Sequence, residues 1–232
     1  MAIKGFQGTS LLDYPGRIAS LVFFSGCNLR CPYCHNPSLV LTPEEHEDIP
    51  LADVVEMLRQ RRAFIDGLVV SGGEPTLDPL LRPLLEAVKK LGLLVKLDTN
   101  GTRPTLLQEL VERQLVDFVS LDVKTAPGRY GELAPAPVPL ALLAQSVEVL
   151  KAAPVEVEFR TTCMPGLVEE EDIAAMGALL RGASTWTLQQ FVAEHALCDT
   201  ARRTSAHSDE QIRLFAQQAR NYVEQVQVRG LV

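Results

Sequence analysis

No run of 18 apolar residues occurs in the 232-residue chain, and no basic stretch leading into an apolar one opens it. Neither a spanning helix nor a secretory leader is therefore expected, and the protein reads as cytoplasmic. Positive charge is also short: 22 Lys and Arg stand against 29 Asp and Glu, a net charge of −7. That balance argues against nucleic acid or an anionic membrane as partner, because both demand a basic face. Five cysteines in a reducing compartment do not make a disulfide framework, and clustered ones read as metal ligands. Internal repeats and low-complexity linkers are missing too. What is present is ordinary: 47% apolar and 22% charged residues suit a soluble globular protein with a sizeable core. The length exceeds one ordinary domain but fits a single α/β barrel.

Three of the five cysteines fall in "SGCNLRCPYCHNP" (Ser25–Pro37), where Cys27, Cys31 and Cys34 are spaced C-x3-C-x2-C and His35 follows directly. A closed structural zinc site takes four ligands, and an iron–sulfur cluster that only carries electrons usually takes four cysteines. Three thiolates leave one metal position without a protein ligand, and an open position is where chemistry happens. A zinc site completed by His35, Cys163 or Cys198 is the bland alternative. Against it, neighbouring side chains such as Cys34 and His35 rarely reach one metal together, and Cys163 and Cys198 have no CxxC partner. Those two read as small residues at strand ends, His46, His195 and His207 as surface groups, and Trp186 as core.

Apolar runs alternate with helical patterns down the chain. Strands are predicted at "IASLVFF" (18–24), "GLVVSGGE" (67–74), "LLVKLDTNG" (93–101), "DFVSLDVK" (117–124), "PVEVEFRTTC" (154–163) and "STWTLQQF" (184–191). Helices are predicted at 51–62, 79–92, 105–114, 140–153, 169–182 and 208–220, and "EQVQVRG" (224–230) is either a last strand or an extension of the last helix. Strands alternating with helices of 10–15 residues mean βαβ units and a parallel sheet. Four successive strands carry unusual polar residues at their carboxyl ends ("SGGE", "LDTNG", "LDVK", "EFRTT"), which is the edge where parallel α/β proteins build sites. Many strands converging on one rim suit a barrel better than a single crevice, so a partial (β/α)6 barrel is expected.

Asp122 and Lys124 are two apart and share a strand face, and Glu156, Glu158 and Arg160 alternate with Val155, Val157 and Phe159. Inner strands of a parallel sheet should be apolar on both faces, so these charges imply an interior cavity lined by acids and bases. The Pro- and Gly-rich segment 126–139 is expected to be a long, mobile loop on the same rim.

The cysteine triplet, with the aromatic Tyr33 before the third cysteine, resembles the signature of the radical S-adenosylmethionine (radical SAM) superfamily. The resemblance implies that Cys27, Cys31 and Cys34 hold a [4Fe–4S] cluster whose open iron is chelated by S-adenosylmethionine. "SGGEP" resembles the family's GGE motif, which implies that Gly72, Gly73 and Glu74 meet the cosubstrate's amino group; its bland reading is a tight turn. "DTNG" implies Asp98 and Thr99 near the cosubstrate, with Asp98 on a monovalent cation, against an αL turn or helix cap. "DVK" and "EFR" imply that Asp122, Lys124 and Arg160 contact the methionine end. No further acid or base is nominated.

The stretch "GFQGTSLLDYPGRIASLVFFSGCNLRCPYCHNPSLV" resembles activating proteins of anaerobic (class III) ribonucleoside-triphosphate reductases, and less closely pyruvate formate-lyase activases. The resemblance implies one radical SAM domain over 1–232, a glycyl-radical enzyme as partner and a flavodoxin or ferredoxin as electron donor. No cysteine lies between Cys34 and Gly72, so there is no inserted ferredoxin-like domain and one cluster is all the chain can hold. The rivals are a compact radical SAM enzyme acting on a small molecule, and a zinc- or cluster-bearing binding module.

Overall fold

A computed structural model describes residues 2–194 and 196–231, so His195 lies outside the described residues. One eight-stranded sheet organises the chain, with its strands in sequence order: β1 (Ile3–Ser10), β2 (Ala19–Phe24), β3 (Gly67–Gly72), β4 (Leu94–Thr99), β5 (Phe118–Asp122), β6 (Glu156–Cys163), β7 (Thr185–Gln190) and β8 (Gln225–Arg229). β1 runs antiparallel to β2, and every later neighbour is parallel. β1 and β8 end the order and do not pair with each other, so the barrel is partial and open between them.

Helices α2 (Leu51–Arg61), α3 (Leu81–Lys90), α4 (Pro104–Glu112), α5 (Leu140–Lys151), α6 (Glu170–Leu179) and α8 (Asp209–Ala219) return the chain between parallel strands. The short α1 (Pro37–Leu41) and α7 (Asp199–Arg202) flank the cysteine loop and the β7 loop. The helices bury one stripe each. In α3, Leu81, Leu84, Leu85 and Val88 recur at 3.6-residue spacing and are fully buried against the sheet. Each such side chain contributes about 1.5–3 kcal/mol of transfer free energy.

Six strand–helix units, β2 to α8, stand where the sequence predicts them, and the ambiguous segment at the end is the strand β8. β1 is not anticipated by the sequence. Its Gly5 and Gly8 depress strand propensity and its register slips twice against β2. Its start is nonetheless buried, and the Ala2 carbonyl accepts from Ser25 N at 2.9 Å, which ties β1 to the first residue of the cysteine loop. The β1–β2 connection closes the amino-terminal end of the barrel: Tyr14 is buried edge-on to Phe118, 5.9 Å between ring centroids, above Leu21 and Val69.

Segment 126–139 departs from expectation. Pro127–Glu132 forms a turn of 3₁₀ helix, Tyr130 and Leu133 are buried, and Arg129 reaches Asp172 at 2.8 Å and the Gly166 carbonyl at 2.6 Å. An apolar pair at i and i+3 inside a Pro/Gly-rich stretch folds it onto the core, so its first half is a fixed wall. His207 is likewise no surface group: its ring nitrogen meets the Val168 carbonyl at 3.0 Å and the ring packs edge-on against Phe215. Trp186 is core, its indole N–H donating to Thr161 Oγ1 at 3.0 Å. Among the described residues, no helix is long and apolar enough to cross a membrane.

Candidate active site

The carboxyl ends of β2 to β6 open into a cavity of about 230 Å³, and every site residue nominated from the sequence borders it. Cys27, Cys31, Tyr33 and Cys34 come from the loop after β2, Gly72, Gly73 and Glu74 from the end of β3, and Asp98 and Thr99 from the end of β4. Asp122 ends β5, Lys124 lies two residues beyond it, and Arg160 is on β6. His35 also borders the cavity but is exposed, and Cys163 is in the core between sheet and helices, away from it. Cys198 caps α7, its sulfur accepting from Ala201 N at 3.4 Å.

The cysteine loop is held from three sides. Gly73 N donates to the Phe24 carbonyl and Glu74 N to the Gly26 carbonyl, both at 2.8 Å, lacing the end of β3 to the loop's first turn. That approach leaves no room for side chains. A Cβ on Gly73 would collide with the Gly26 carbonyl and one on Gly72 with Phe24 backbone, and Gly72 also has φ of +121°. Asn36 Nδ2 fixes the Gly72 carbonyl at 3.0 Å. On the other side, Leu29, Cys31 and Tyr33 pack against Leu133, Met164, Leu167 and Phe191, and Arg30 N donates to the Leu133 carbonyl at 2.6 Å. Burial pushes the Cys31 thiol up to about 12, and Cys27 is raised by burial and by the negative charge of Glu74.

Glu74 is 1% exposed, and its carboxylate is heavily engaged. Oε1 accepts from Thr76 N at 3.1 Å, from Thr76 Oγ1, and from Thr99 Oγ1 at 2.8 Å, while Oε2 accepts from Asn100 N at 2.7 Å. Glu74 thus knits the ends of β3 and β4 together. Burial raises its pKa against the pull of those bonds.

Beyond Glu74 the floor of the cavity is a chain of alternating charges. Lys96 pairs with Asp98, and Asp98 with Arg160 at 3.5 Å; Arg160 Nε meets Asp122 at 2.8 Å, and Asp122 meets Lys124 Nζ at 2.9 Å. Three cations against two anions leave one positive charge in excess. Burial pushes Asp98 and Asp122 up, but their cationic neighbours outweigh it and hold both below the ordinary carboxylate range. Asp122 likewise keeps Lys124 charged against burial. Lys124 also lies over the Tyr33 ring, 5.9 Å from its centroid, joining the charge chain to the cysteine loop. Lys96, with a side chain 3% exposed, is missed by the sequence reading although Lys96 and Asp98 share a strand face just as Asp122 and Lys124 do. Together Lys96 and Arg160 supply the positive charge beside Asp98 that the sequence assigns to a monovalent cation.

Among the described residues, no three His, Cys, Asp or Glu side chains are drawn together as ligands of a single metal ion. The three thiols instead border one cavity, which is what a cluster with one thiolate per iron asks for. Soft donors on one wall, a net positive, partly dry charge chain on the other and a backbone cradle between them fit a cluster beside a zwitterionic cosubstrate.

The sequence profile of the radical SAM superfamily matches residues 21–177. A Methanocaldococcus jannaschii protein that carries the provisional name of a glycyl-radical enzyme activating enzyme is 30% identical over 99% of this chain and 96% of its own length. The pyruvate formate-lyase 1-activating enzyme of Escherichia coli K12 is 34% identical over a segment that spans 53% of this chain and 51% of that enzyme. Two solved structures share the fold. QueE from Escherichia coli superposes with a TM-score of 0.54 at 18% identity, covering 98% of this chain and 92% of QueE. Streptococcus suis SuiB gives 0.68 at 15% identity, covering 90% of this chain and 49% of SuiB.

Proposed function

The chain belongs to the radical SAM superfamily, alongside glycyl-radical enzyme activating enzymes, and we propose that it is the activase of an anaerobic ribonucleoside-triphosphate reductase. It is an enzyme, and its family works with a [4Fe–4S] cluster and S-adenosylmethionine. In this reading one radical SAM domain spans residues 1–232 and acts in the cytoplasm, with a flavodoxin or ferredoxin as electron donor. The observation that carries it is the convergence of the three loop cysteines with Asp98, Arg160, Asp122 and Lys124 on one cavity, Lys96 standing behind Asp98.

A [4Fe–4S] cluster held by Cys27, Cys31 and Cys34 would supply the one electron for cleavage of the S-adenosylmethionine sulfonium to methionine and a 5′-deoxyadenosyl radical, which would take the Hα of a partner glycine to give 5′-deoxyadenosine and a glycyl radical. The chain's own residues do the rest. Cys27, Cys31 and Cys34 ligate three irons. Lys124 and Arg160, each already matched to Asp122, offer the excess positive charge to the cosubstrate's carboxylate. Glu74, immobilised by its hydrogen bonds, acts on the ammonium as a fixed negative charge at the end of β3, and the Gly72–Gly73 backbone lets the ligand approach. Thr99 braces Glu74, and Tyr33 and Leu29 keep water from the thiolates. The partner's glycine-bearing loop enters over the rim at the carboxyl ends of the strands, past the wall formed by segment 126–139.

The choice of reductase rests on the "TSLLDYPG" form of the β1–β2 connection. The likeness to pyruvate formate-lyase activases favours the second reading, activation of that enzyme. Incubation with a reductant, S-adenosylmethionine and the candidate partner decides between them. The reductase should show a glycyl radical doublet in electron paramagnetic resonance, with 5′-deoxyadenosine formed in proportion. A doublet on pyruvate formate-lyase alone would move the assignment to that partner, and 5′-deoxyadenosine formed only with a small molecule would overturn the activase reading.

A further inference from the structure

Asn100 follows Thr99 at the end of β4, is 4% exposed, and is assigned no part in the proposal above. Its side-chain amide is oriented by four contacts. Oδ1 accepts from Thr102 N at 3.1 Å and from Thr102 Oγ1 at 2.7 Å, while Nδ2 donates to Asn28 Oδ1 at 2.8 Å and toward Cys27 Sγ at 3.8 Å. Asn28, inside the C-x3-C spacer, closes the ring by donating to Thr102 Oγ1 at 3.0 Å. A flipped amide would set its NH2 against the Thr102 N–H and its oxygen against a thiolate, so one orientation satisfies every partner. Both amide hydrogens are spent, one on the spacer and one on the sulfur.

We infer that Asn100 is a positioning residue that raises the reduction potential of the cluster by donating a hydrogen bond to the Cys27 sulfur. The inference rests on the proposal that Cys27 ligates the cluster. Reduction adds negative charge that is shared by the ligating sulfurs, and an N–H pointed at one of them stabilises the reduced state more than the oxidised one. The effect matters here because the carboxylate of buried Glu74, a residue laced by its backbone N–H to Gly26 next to Cys27, places negative charge beside that sulfur and disfavours adding more. Asn100 sits between the two, since its backbone N–H binds Glu74 Oε2 and its side chain faces Cys27.

The test is a redox titration of reconstituted protein, followed by the electron paramagnetic resonance signal of the reduced cluster, in wild type, Asn100→Ala and Asn100→Asp. Asn100→Asp keeps the acceptor to Thr102 and the side-chain volume, so it holds the loop even where Asn100→Ala loosens it. Both variants should bind wild-type iron and have more negative midpoints, Asn100→Asp by the larger amount because a donor becomes a charged acceptor. At a fixed poise Asn100→Asp should lose at least tenfold in the ratio of reduced to oxidised cluster, about 59 mV for one electron. In D2O, the reduced wild-type cluster should show two exchangeable couplings near Cys27, one from Asn100 and one from Leu29 N, which lies 3.4 Å from the sulfur; Asn100→Ala should keep only the second. Wild-type midpoints in both variants at full iron content would overturn this inference and leave the cluster assignment intact. Failure of wild type itself to bind a four-iron cluster would overturn both.

Discussion

Two charged assemblies stand one above the other inside the barrel, and β6 supplies both, Arg160 to the upper and Glu158 to the lower. The upper one is a continuous chain from Lys96 to Lys124 in which Asp98, Arg160 and Asp122 each meet partners on both sides. The lower one is a single pair. The Glu158 side chain is 3% exposed and meets Arg229 of β8 at 2.8 Å, while the Arg229 side chain is 39% exposed. Beside them the buried hydroxyls of Ser120 and Thr187 have no partner among the described residues. The same alternation of charge along β6 thus serves two ends. Above, it faces the cysteine loop and carries an unspent positive charge; below, it neutralises itself near the barrel floor. A charged strand face signals an interior, and only the neighbouring loops say whether that interior is a site.

The comparison would break most severely at the cysteines. Cys31→Ala should abolish both the cluster and S-adenosylmethionine cleavage, as should Cys27→Ala and Cys34→Ala, whereas Cys163→Ala should keep wild-type iron and cost only packing, about 1 kcal/mol in a thermal or urea melt. Full iron and activity in Cys31→Ala would remove the basis for a site at the upper end. Next in size is Lys124→Ala, which should weaken S-adenosylmethionine binding by roughly 2–5 kcal/mol, the usual effect of leaving a desolvated charge partner unpaired. A dissociation constant near wild type would show that the upper chain neutralises itself just as the lower pair does.

Arg229→Ala sharpens the contrast from below. It strands Glu158 in the interior, so urea unfolding should show a loss of roughly 1–3 kcal/mol, moderated by the solvent access of Arg229, with S-adenosylmethionine affinity unchanged. A change in affinity instead would mean that the two assemblies are coupled through β6. The smallest effect is on pH dependence. Asp98 and Asp122 are held below their ordinary value of 3.8 in the folded state. Their stabilising contribution is therefore complete above about pH 4 and is lost only as pH falls from there toward the depressed folded values. Glu74, raised above 4.5 by burial, has the opposite sign: its contribution favours folding at low pH and fades as pH rises through its folded value. Asp122→Asn should flatten the acid limb of a stability–pH curve below pH 4, and an unaltered limb would remove the upper chain from the balance.

The strand–helix rhythm was legible because parallel strands and their covering helices bury long apolar runs of distinct period. The site was legible where motif and strand end coincide, as at Cys27, Glu74 and Lys124. Three features escaped for separate physical reasons. β1 is an antiparallel edge strand with two glycines, so neither periodicity nor propensity marks it. Asn28, Asn36 and Asn100 lie in loops, and the sequence does not say which loop a loop amide will meet. Segment 126–139 has the composition of a flexible loop, and only the spacing of Tyr130 and Leu133 hints at the wall it forms. Lys96 is different, since its signal was present on the same face as Asp98.

The packing of the cysteine loop also has a temporal side. Its thiols lie between residues 27 and 34, but the groups that cover them, Leu133, Phe191 and Ala201, come from 100 to roughly 170 residues later in the chain. At ribosomal speeds of about 5–20 residues per second, Cys34 is made on the order of 8–33 s before Ala201. At the start of that interval the loop can be tied only to β1, β2 and β3; Asn100, Lys124 and Leu133 join as they are made, and until then the thiols stand open to whatever delivers iron and sulfide. Once Phe191 and α7 arrive, the door narrows. Assembly of the cluster on the growing chain and repair of a lost cluster in the finished protein are therefore two different kinetic problems, the second limited to the opening of the folded cavity that the three thiols border.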